Sequence, residues 1–329
     1  MQKVFITGAT GLVGAYLTRS FVEKGYSVKA LKRPQSAIAH LEDLRKIQWI
    51  EGDILDILTL ENAIEPEDIV VHAAAVVSFN KIDKIMMQKI NIEGTANMVN
   101  IALEKNIKKF IHISSIASLG RKKGQTIIDE TSQWEDSELN TIYAETKYLA
   151  ELEVWRAFSE GLQGVILNPS LVFGVGDWNK SSLQIFKYVA QNKKMYPLGD
   201  ANYIDLRTIA EAVLAFAEND ITNERFILNA GSLPYKVLFE KIAEKIEKKP
   251  PHIPITPFIA ALAWRLSSFI SFFTRKKSVI TKETALSSQK KFFYDNKKIK
   301  NALPDLNFYD IDETISWVVS EYNPNKIHK

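Results

Sequence analysis

The sequence predicts an α/β fold in which a doubly wound parallel sheet is joined by a smaller, mainly helical C-terminal part. The chain opens with a β-branched strand, a glycine-rich turn and an apolar helix, one after another over residues 3–21. Strand-like and helical patterns then alternate through the first half, which is typical of βαβ units and a parallel sheet. At 329 residues the chain is near the size at which one hydrophobic core splits into two.

The first strand, residues 3–6, runs directly into a glycine-rich turn. Gly8, Gly11 and Gly14 have the spacing G-x-x-G-x-x-G, one residue longer than the G-x-G-x-x-G fingerprint of dinucleotide-binding folds. Gly8 permits the tight turn, Gly11 lets a pyrophosphate approach the backbone, and Gly14 lets the following helix pack closely on the strand. The helix N-terminus then faces the phosphates. Because the flanking strand and helix fit so well, we favour a nicotinamide-nucleotide site over a turn without a ligand; its expected residues are Thr7, Gly8, Thr10, Gly11, Leu12, Val13 and Gly14.

The later elements follow from β-branched runs and from helical spacing of apolar residues. From about residue 232 the pattern is mainly helical and is interrupted by prolines. We expect a dinucleotide-binding domain over residues 1–168 plus about 203–230, and a substrate domain over about 169–202 plus 231–329. The predicted strands are 27–31, 47–50, 68–72, 109–113, 164–167 and 224–228, and the main helices are about 91–104, 141–160 and 205–216.

Composition restricts the kind of partner and compartment. The chain is 46% hydrophobic and 25% charged, with a net charge of +3, so nothing indicates nucleic acid or a membrane surface as a partner. The absence of cysteine excludes disulfides and thiolate sites and suits a reducing cytoplasm. The five histidines show no metal-ligand spacing, so we expect no metal site. We also expect no signal peptide, because the first residues already form a core strand.

One apolar segment, residues 258–273, is considered separately. It is shorter than the ~20 residues needed to span a bilayer, and Arg265 in its middle disfavours spanning further. We interpret it as a packed helix of the substrate domain. A cap over an apolar substrate and a peripheral membrane contact are the alternatives.

Tyr143 and Lys147 are candidates for acid–base chemistry. They lie four residues apart in a predicted helix and therefore share one face. A phenol has a pKa near ~10 and exchanges protons poorly at neutral pH, unless an ammonium group stabilises the phenolate. The Y-x-x-x-K spacing alone is a weak signal, since two solvated helix residues give the same pattern. Its position adds weight, because the preceding strand ends in Ser114 and Ser115, where a hydroxyl can face the nicotinamide.

Together these motifs resemble those of the extended short-chain dehydrogenases/reductases, over most of the chain. The resemblance is closest to members similar to dihydroflavonol reductase and 3β-hydroxysteroid dehydrogenase, and it implies a Rossmann fold. Each motif is unspecific alone, but jointly they are highly specific. They are Thr7 to Gly14, Gly52-Asp53-Ile54, His72 to Ala75, Asn91 to Thr95, Ser114-Ser115, Tyr143 with Lys147, and Asn168 to Gly174.

The resemblance implies a role for each matching residue. Ser115 would bond the substrate oxygen, Tyr143 would donate or accept the proton, and Lys147 would hold the nicotinamide ribose and lower the tyrosine pKa. Asn91, Ser114 and Ser118 are expected to be structural. The remaining cofactor contacts that it implies are Asp53 and Ile54 at the adenine, Ala73, Ala74 and Ala75 along the ribose and phosphates, Ile113 at the end of its strand, and Pro169 and Ser170 near the nicotinamide amide.

The end of the second strand predicts the choice of cofactor. An acidic residue there would accept a hydrogen bond from the ribose 2′-hydroxyl of NAD. This chain has Lys32 and Arg33 instead, with no carboxylate until Glu42. Since a guanidinium can stack on adenine and pair with a 2′-phosphate, we expect NADP to be preferred. NAD remains possible if these residues form only an exposed basic turn.

Several reactions occur in this family, and the motifs favour carbonyl reduction. Residues 168–174 and 294–298 resemble the reductase branch, and Ile116-Ala117 stands where dehydratases carry an Asp-Glu pair. Phe79, Phe173 and Trp178 would line a pocket for a small, fairly apolar ketone or secondary alcohol. A nucleotide-sugar epimerase is the alternative, with Lys180, Lys187, Lys193 and Lys194 serving a diphosphate, and a non-catalytic NADP-sensing protein is a second one. A homodimer through the helices near 91–104 and 141–160 is also expected.

Overall fold

We analysed a computed structural model, which describes residues 2–38, 41, 46–122, 124–262, 264–265 and 282–322. The strands are β1 Lys3–Thr7, β2 Ser27–Lys32, β3 Ile47–Glu51, β4 Ile69–His72, β5 Lys109–Ile113, β6 Ile127–Ile128, β7 Gly164–Pro169, β8 Leu171–Phe173, β9 Met195–Pro197, β10 Asp200–Asp205, β11 Glu224–Leu228, β12 Gly231–Pro234, β13 Ile253–Ile255 and β14 Phe293–Tyr294. The helices are α1 Leu12–Glu23, α2 Ile57–Ala63, α3 Lys84–Met87, α4 Gly94–Glu104, α5 Ile142–Ser159, α6 Gln184–Ala190, α7 Leu206–Glu218, α8 Tyr235–Lys245, α9 Lys282–Ser287, α10 Lys297–Ala302 and α11 Ile311–Ser320.

Seven strands form one parallel sheet in the order β11-β7-β5-β4-β1-β2-β3. The strand order reverses between β1 and β4, where Thr7 lies opposite His72. In an open α/β sheet this reversal creates a crevice at the carboxyl ends of the strands, and ligands bind there. The predicted α/β class with a doubly wound parallel sheet is confirmed, and the strand at 224–228 does return to its edge.

Helices cover both faces of this sheet, because successive strand residues point to opposite sides. Val4 and Ile6 of β1 pack with Phe21 of α1 and Phe216 of α7 on one face. Phe5, between them, joins the core under α2, α4 and α5 on the other face. Burying both faces explains why these strands consist of continuous apolar runs.

A second core lies beside the main sheet, around the three-stranded sheet β12-β10-β8. Phe173 and Trp178 belong to it: Phe173 is fully buried, and Trp178 stacks on Tyr322 with ring centroids 3.8 Å apart. The expectation that these two rings line a substrate pocket is therefore wrong, because packing within this core covers them.

The apolar segment is described only in part. Residues 257–262 are helical, with Phe258 78% exposed and Ala260 buried. The remainder of the predicted helix, apart from residues 264–265, lies outside the described residues. In the part of the chain that the structure describes, no helix is long and apolar enough to cross a membrane.

Candidate active site

The glycine-rich turn leads from β1 into α1 through close backbone contacts. Gly8 has φ +70°, and a Cβ there would lie 2.6 Å from the backbone of Ala73. The amide of Gly11 donates to the Gly8 carbonyl over 2.9 Å, and a Cβ on Gly14 would overlap that same carbonyl oxygen. Side chains at Gly8 and Gly14 are therefore excluded by sterics, as the roles assigned to them require.

The start of α1 fits a dinucleotide pyrophosphate. Gly11 caps the helix without a side-chain hydrogen bond, and the first turn holds no acidic residue. The first amides of a helix have no partner within it and, with the helix dipole, favour an anion. Gly11 is exposed, and Thr10, Leu12 and Val13 lie partly buried around it. The residues present thus fit a bound phosphate group at this point.

A buried hydrogen-bond chain joins β1 to β4 beneath this turn. The Thr95 hydroxyl donates to the Asn91 carbonyl over 2.7 Å and lies 3.0 Å from His72 Nε2. Since that hydroxyl has one hydrogen, Nε2–H must be the donor to Thr95, and Nδ1 then accepts from the Thr7 hydroxyl at 2.7 Å. The Ala74 amide completes the chain by donating to Thr7 over 3.3 Å. Burial, reinforced by the charge of Lys147, lowers the pKa of His72 to about 3, so the ring remains neutral.

The residues expected at the adenine lie at the ends of β2 and β3. Asp53 Oδ1 accepts from the Leu55 amide over 3.0 Å, and Ile54 is buried against Gly94 of α4. Lys32 is paired with Glu51 on the neighbouring strand at 3.0 Å. Arg33 is exposed, and its guanidinium has no partner among the described residues. Of the two basic residues, Arg33 is therefore the one available to a 2′-phosphate.

The three candidate catalytic residues meet at the carboxyl end of β5. Thr141 caps α5, its side chain accepting from the Ala144 amide over 3.0 Å, and the helix therefore starts one residue before Tyr143. The Ser115 side chain interacts with the Tyr143 hydroxyl. Lys147 Nζ donates to the Ile113 carbonyl over 3.0 Å, and the side chain is only 1% exposed. The spacing of Tyr143 and Lys147 thus places both on the face of α5 that packs on the sheet.

The surroundings set the protonation of these groups. Burial raises the pKa of Tyr143 to about 12, and the hydrogen bond from Ser115 opposes this. Burial lowers the pKa of Lys147 to about 8, and the Glu151 carboxylate opposes that fall. At neutral pH the phenol therefore carries a proton and the lysine is charged, which suits proton donation to a substrate oxygen.

Glu151 is a residue that sequence reasoning missed. It is 1% exposed, one turn beyond Lys147. Its Oε1 accepts from Ser118 Oγ and Asn168 Nδ2, both at 2.5 Å, and its Oε2 lies 3.5 Å from Arg225 Nη1. The repeat of Tyr143, Lys147 and Glu151 at every fourth position was the available signal, since such residues share one helix face.

Two asparagines hold the loops around the catalytic residues. Asn168 Nδ2 also donates to the Ser115 carbonyl, over 3.1 Å. Asn91 accepts from the Val76 amide over 2.7 Å and donates to Thr146 of α5 over 3.0 Å. Asn91 lies in a π-helical turn, Gln88–Glu93, that directly precedes α4. As expected, Asn91 is a brace; it ties the segment after β4 to the catalytic helix.

The region expected to hold the nicotinamide lies at the end of β7. Pro169 is the last residue of that strand, and Ser170 is buried, with an Oγ that has no hydrogen-bond partner among the described residues. A buried hydroxyl without a partner fits a polar ligand group such as the nicotinamide amide. Phe79 meets the Tyr143 ring edge-on, with centroids 6.2 Å apart, and is 39% exposed. Of the three aromatic residues predicted for the pocket, Phe79 alone lies beside Tyr143 with an exposed surface.

Comparison with known proteins gives this arrangement a family. The profile of the NAD dependent epimerase/dehydratase family matches residues 4–231, well over half of the chain. The chain belongs to that family. It is therefore an NAD(P)-dependent enzyme of the short-chain dehydrogenase/reductase type, as the sequence predicted.

Two curated relatives and one solved structure represent the similarity within the epimerase/dehydratase family. A dihydroflavonol 4-reductase-type protein of Synechocystis sp. is 28% identical over 308 residues, which are 90% of this chain and 88% of the relative. Cinnamoyl-CoA reductase 1 of Petunia hybrida is 31% identical over 273 residues, 77% of this chain and 79% of the relative. The crystal structure of gox2253 has a TM-score of 0.83 at 28% identity and covers 98% of each chain.

Proposed function

We propose that this member of the epimerase/dehydratase family reduces the carbonyl of a small, fairly apolar substrate, or oxidises the corresponding secondary alcohol. The observation that carries the proposal is the meeting of Ser115, Tyr143 and Lys147 at the carboxyl end of β5, where Ser115 interacts with the Tyr143 hydroxyl and Lys147 lies one turn further along α5. When bound, the nicotinamide supplies or accepts the hydride. Tyr143 donates its proton to the substrate oxygen, Ser115 donates a second hydrogen bond to that oxygen, and the charge of Lys147 stabilises the phenolate that remains.

The surface beside Tyr143 supports an apolar substrate. Phe79 and Val77, on the segment after β4, are 39% and 53% exposed. Covering such side chains with an apolar ligand gains about 25 cal/mol per Å² removed from water. The two curated relatives are both named as reductases, which favours the same reaction class.

We propose NADPH as the preferred cofactor, with NADH as a weaker one. The unpaired guanidinium of Arg33 supports this choice, because it offers charge-assisted hydrogen bonds to a 2′-phosphate. No carboxylate of the neighbouring strand competes for it, since Glu51 pairs with Lys32 instead.

The nucleotide-sugar epimerase is the competing function, and the lysines that would serve it are partly engaged. Lys180 lies 3.7 Å from Asp177, and Lys187 donates to Asn179 over 2.5 Å. A diphosphate would have to displace these contacts to gain compensating charge.

The test uses the full chain with purified cofactors. NADPH oxidation is followed with a panel of aromatic and aliphatic aldehydes and ketones, and cofactor-loaded protein is titrated with UDP, GDP and dTDP by calorimetry. We expect turnover of at least one apolar carbonyl compound and no micromolar nucleotide binding. If a nucleoside diphosphate bound with micromolar affinity and blocked access to Tyr143, the reductase proposal would be wrong and the epimerase would become the proposed function.

A further inference from the structure

Arg121 is a partly buried cation with an unusual set of neighbours. Its Nε donates to the Tyr294 hydroxyl over 3.2 Å, and its guanidinium carbon lies 5.4 Å from the centre of the Phe292 ring. Among the described residues no carboxylate lies within 4.0 Å of the guanidinium. The guanidinium is therefore partly removed from water with none of these carboxylates beside it. The groups that interact with it electrostatically are the phenols of Tyr294 and Tyr235.

Other partly buried arginines of this chain do face carboxylates. Arg207 makes bonds of 3.0 and 2.8 Å to Asp205. Arg225 lies 3.5 Å from Glu151 and also donates to backbone carbonyls. Taking a charge out of water is costly unless an opposite charge or several acceptors replace the water. Within the described part of the chain, the guanidinium of Arg121 donates through one of its five N–H groups, which leaves four for another acceptor.

The position of Arg121 relates it to the reacting groups. It follows Ser115 by six residues, and its backbone amide donates to Asn140 Oδ1 over 2.9 Å. Asn140 precedes Tyr143 by three residues, so the two α-carbons are at most about 11 Å apart. Phe292 and Tyr294 approach from the C-terminal part of the chain. The backbone of Arg121 is thus tied to the segment just before the catalytic helix, and its guanidinium contacts the part expected to bind substrate.

We propose that Arg121 binds an oxyanion, a carboxylate or a phosphate, on the substrate of this enzyme. The inference rests on the proposed carbonyl reduction and refines its substrate class. The two terminal nitrogens of the guanidinium match the two oxygens of a planar anion. The substrate is then an apolar carbonyl compound with an acidic group some distance from the reacting carbon. Phe292 and Tyr294 supply the aromatic wall beside that group.

The test compares acidic probes with neutral twins of the same shape. The probes are 4-formylbenzoate and 4′-formylbiphenyl-4-carboxylate, with benzaldehyde and 4-formylbiphenyl as twins, and coenzyme A represents the phosphate source. Binding to NADP⁺-loaded protein is measured by calorimetry, and turnover is measured with NADPH. The variants are Arg121→Gln, Arg121→Lys and the control Lys122→Gln, which removes the adjacent charge that pairs with Glu135 at 2.5 Å.

We expect the unmodified enzyme to bind at least one of the anionic probes, either a carboxylate or coenzyme A. If Arg121 binds a carboxylate, each acid should bind more tightly than its neutral twin. Arg121→Gln should weaken that anion about ten- to hundred-fold and leave the neutral twins unchanged. Arg121→Lys should restore part of the loss, and Lys122→Gln should have no comparable effect. Stronger dependence on Arg121 for coenzyme A than for the carboxylates assigns the site to phosphate.

Three results would overturn the inference. The first is that the unmodified enzyme binds acids and twins equally and does not bind coenzyme A. The second is that Arg121→Gln loses affinity equally for acids and for their twins. The third is that Lys122→Gln loses as much affinity for the anion as Arg121→Gln does. The first needs no variant, so it holds even if a variant fails to fold. Turnover of acidic and neutral aldehydes alike, with no dependence of either on Arg121, would leave the proposed function standing alone. If the binding of acids depended on Arg121 but no NADPH were oxidised, the proposed anion site would stand and the proposed carbonyl reduction would be wrong.

Discussion

Replacing Glu151 by glutamine should shift the pH range in which the enzyme works. Glutamine keeps the shape and an oxygen that can accept from Ser118 and Asn168, but it removes the negative charge one turn from Lys147. Arg225 retains backbone acceptors, among them the Glu130 carbonyl at 2.6 Å, so the fold should survive. The expected loss of stability is about 1–3 kcal/mol, the cost of a weakened buried charge-assisted contact.

The effect on Lys147 can be estimated from the helix geometry. Residues four apart on a helix are separated by about 6 Å, and at an effective dielectric constant of about 20 two unit charges then attract by about 3 kcal/mol. That energy corresponds to about two pKa units, and relaxation of the site reduces it to about one or two. The pKa of Lys147 is about 8 with Glu151 charged. In the glutamine variant it should fall to about 6–7.

The assay is the pH dependence of kcat/KM with a saturating cofactor. Between pH 6 and 9 the other groups that face Lys147 do not titrate: burial lowers the pKa of His72 to about 3, keeps that of His112 well below its ordinary value, and raises that of Tyr143 to about 12. Charged Lys147 is the active form, so the alkaline limb should move to lower pH by about one to two units in Glu151→Gln.

Glu153→Gln is the matched control, because Glu153 lies on the same helix but pairs with Arg156 at 3.0 Å. Its pH profile should equal that of the unmodified enzyme. A Glu151→Gln variant that is slower at every pH by one constant factor would refute the electrostatic reasoning. Such a result would make Glu151 a packing residue.

Three further predictions concern other parts of the site. Tyr143→Phe should reduce turnover by about 10²–10⁴ while NADPH binding, measured by fluorescence titration, stays within about twofold; near-normal turnover would remove the tyrosine from the chemistry. Arg33→Ala should weaken NADPH about tenfold and leave NADH unchanged, and equal affinities for the two cofactors in the unmodified protein would contradict the choice of NADP. Burial keeps the pKa of His112 well below its ordinary value and that of His72 at about 3, so below about pH 6.5 the unfolded chain binds more protons than the folded one. Stability should therefore fall with falling pH, by about 1.4 kcal/mol per unit for each histidine, and urea unfolding at pH 7 and pH 5 should show a smaller fall in His112→Phe; an unchanged fall would show that this histidine does not contribute.

The strands of the main sheet could be predicted from sequence because they are buried on both faces and so consist of apolar runs. Strand β7 shows the limit of this prediction, because it continues to Pro169, beyond its last β-branched residues. Strand β8 has only three residues and carries no periodic signal, and β10 pairs with β8 and β12, which come from other parts of the sequence. The positions of these two strands could therefore not be predicted from the sequence.

Site residues divide in a similar way. Those set by local spacing, Gly8 and Tyr143 among them, occupy the expected places in the structure. Contacts between distant segments could not be derived, such as the pairing of Lys32 with Glu51 across two strands. Phe173 ends β8, close in sequence to the motif at the end of β7, which suggested a pocket residue, but its side chain packs on Phe186 of the second core. Sequence proximity to a motif therefore does not determine which way a side chain points.

The buried chain from the Ala74 amide through Thr7, His72 and Thr95 to the Asn91 carbonyl has a direction. Every link donates toward the same end, so the row behaves as aligned dipoles that strengthen one another. A second proton on His72 would place two donors face to face and break the row in its middle. His72 is thus a structural link between β1 and β4 and does not take up or release a proton. Acid strong enough to charge it would loosen the cofactor turn and the brace on the catalytic helix together.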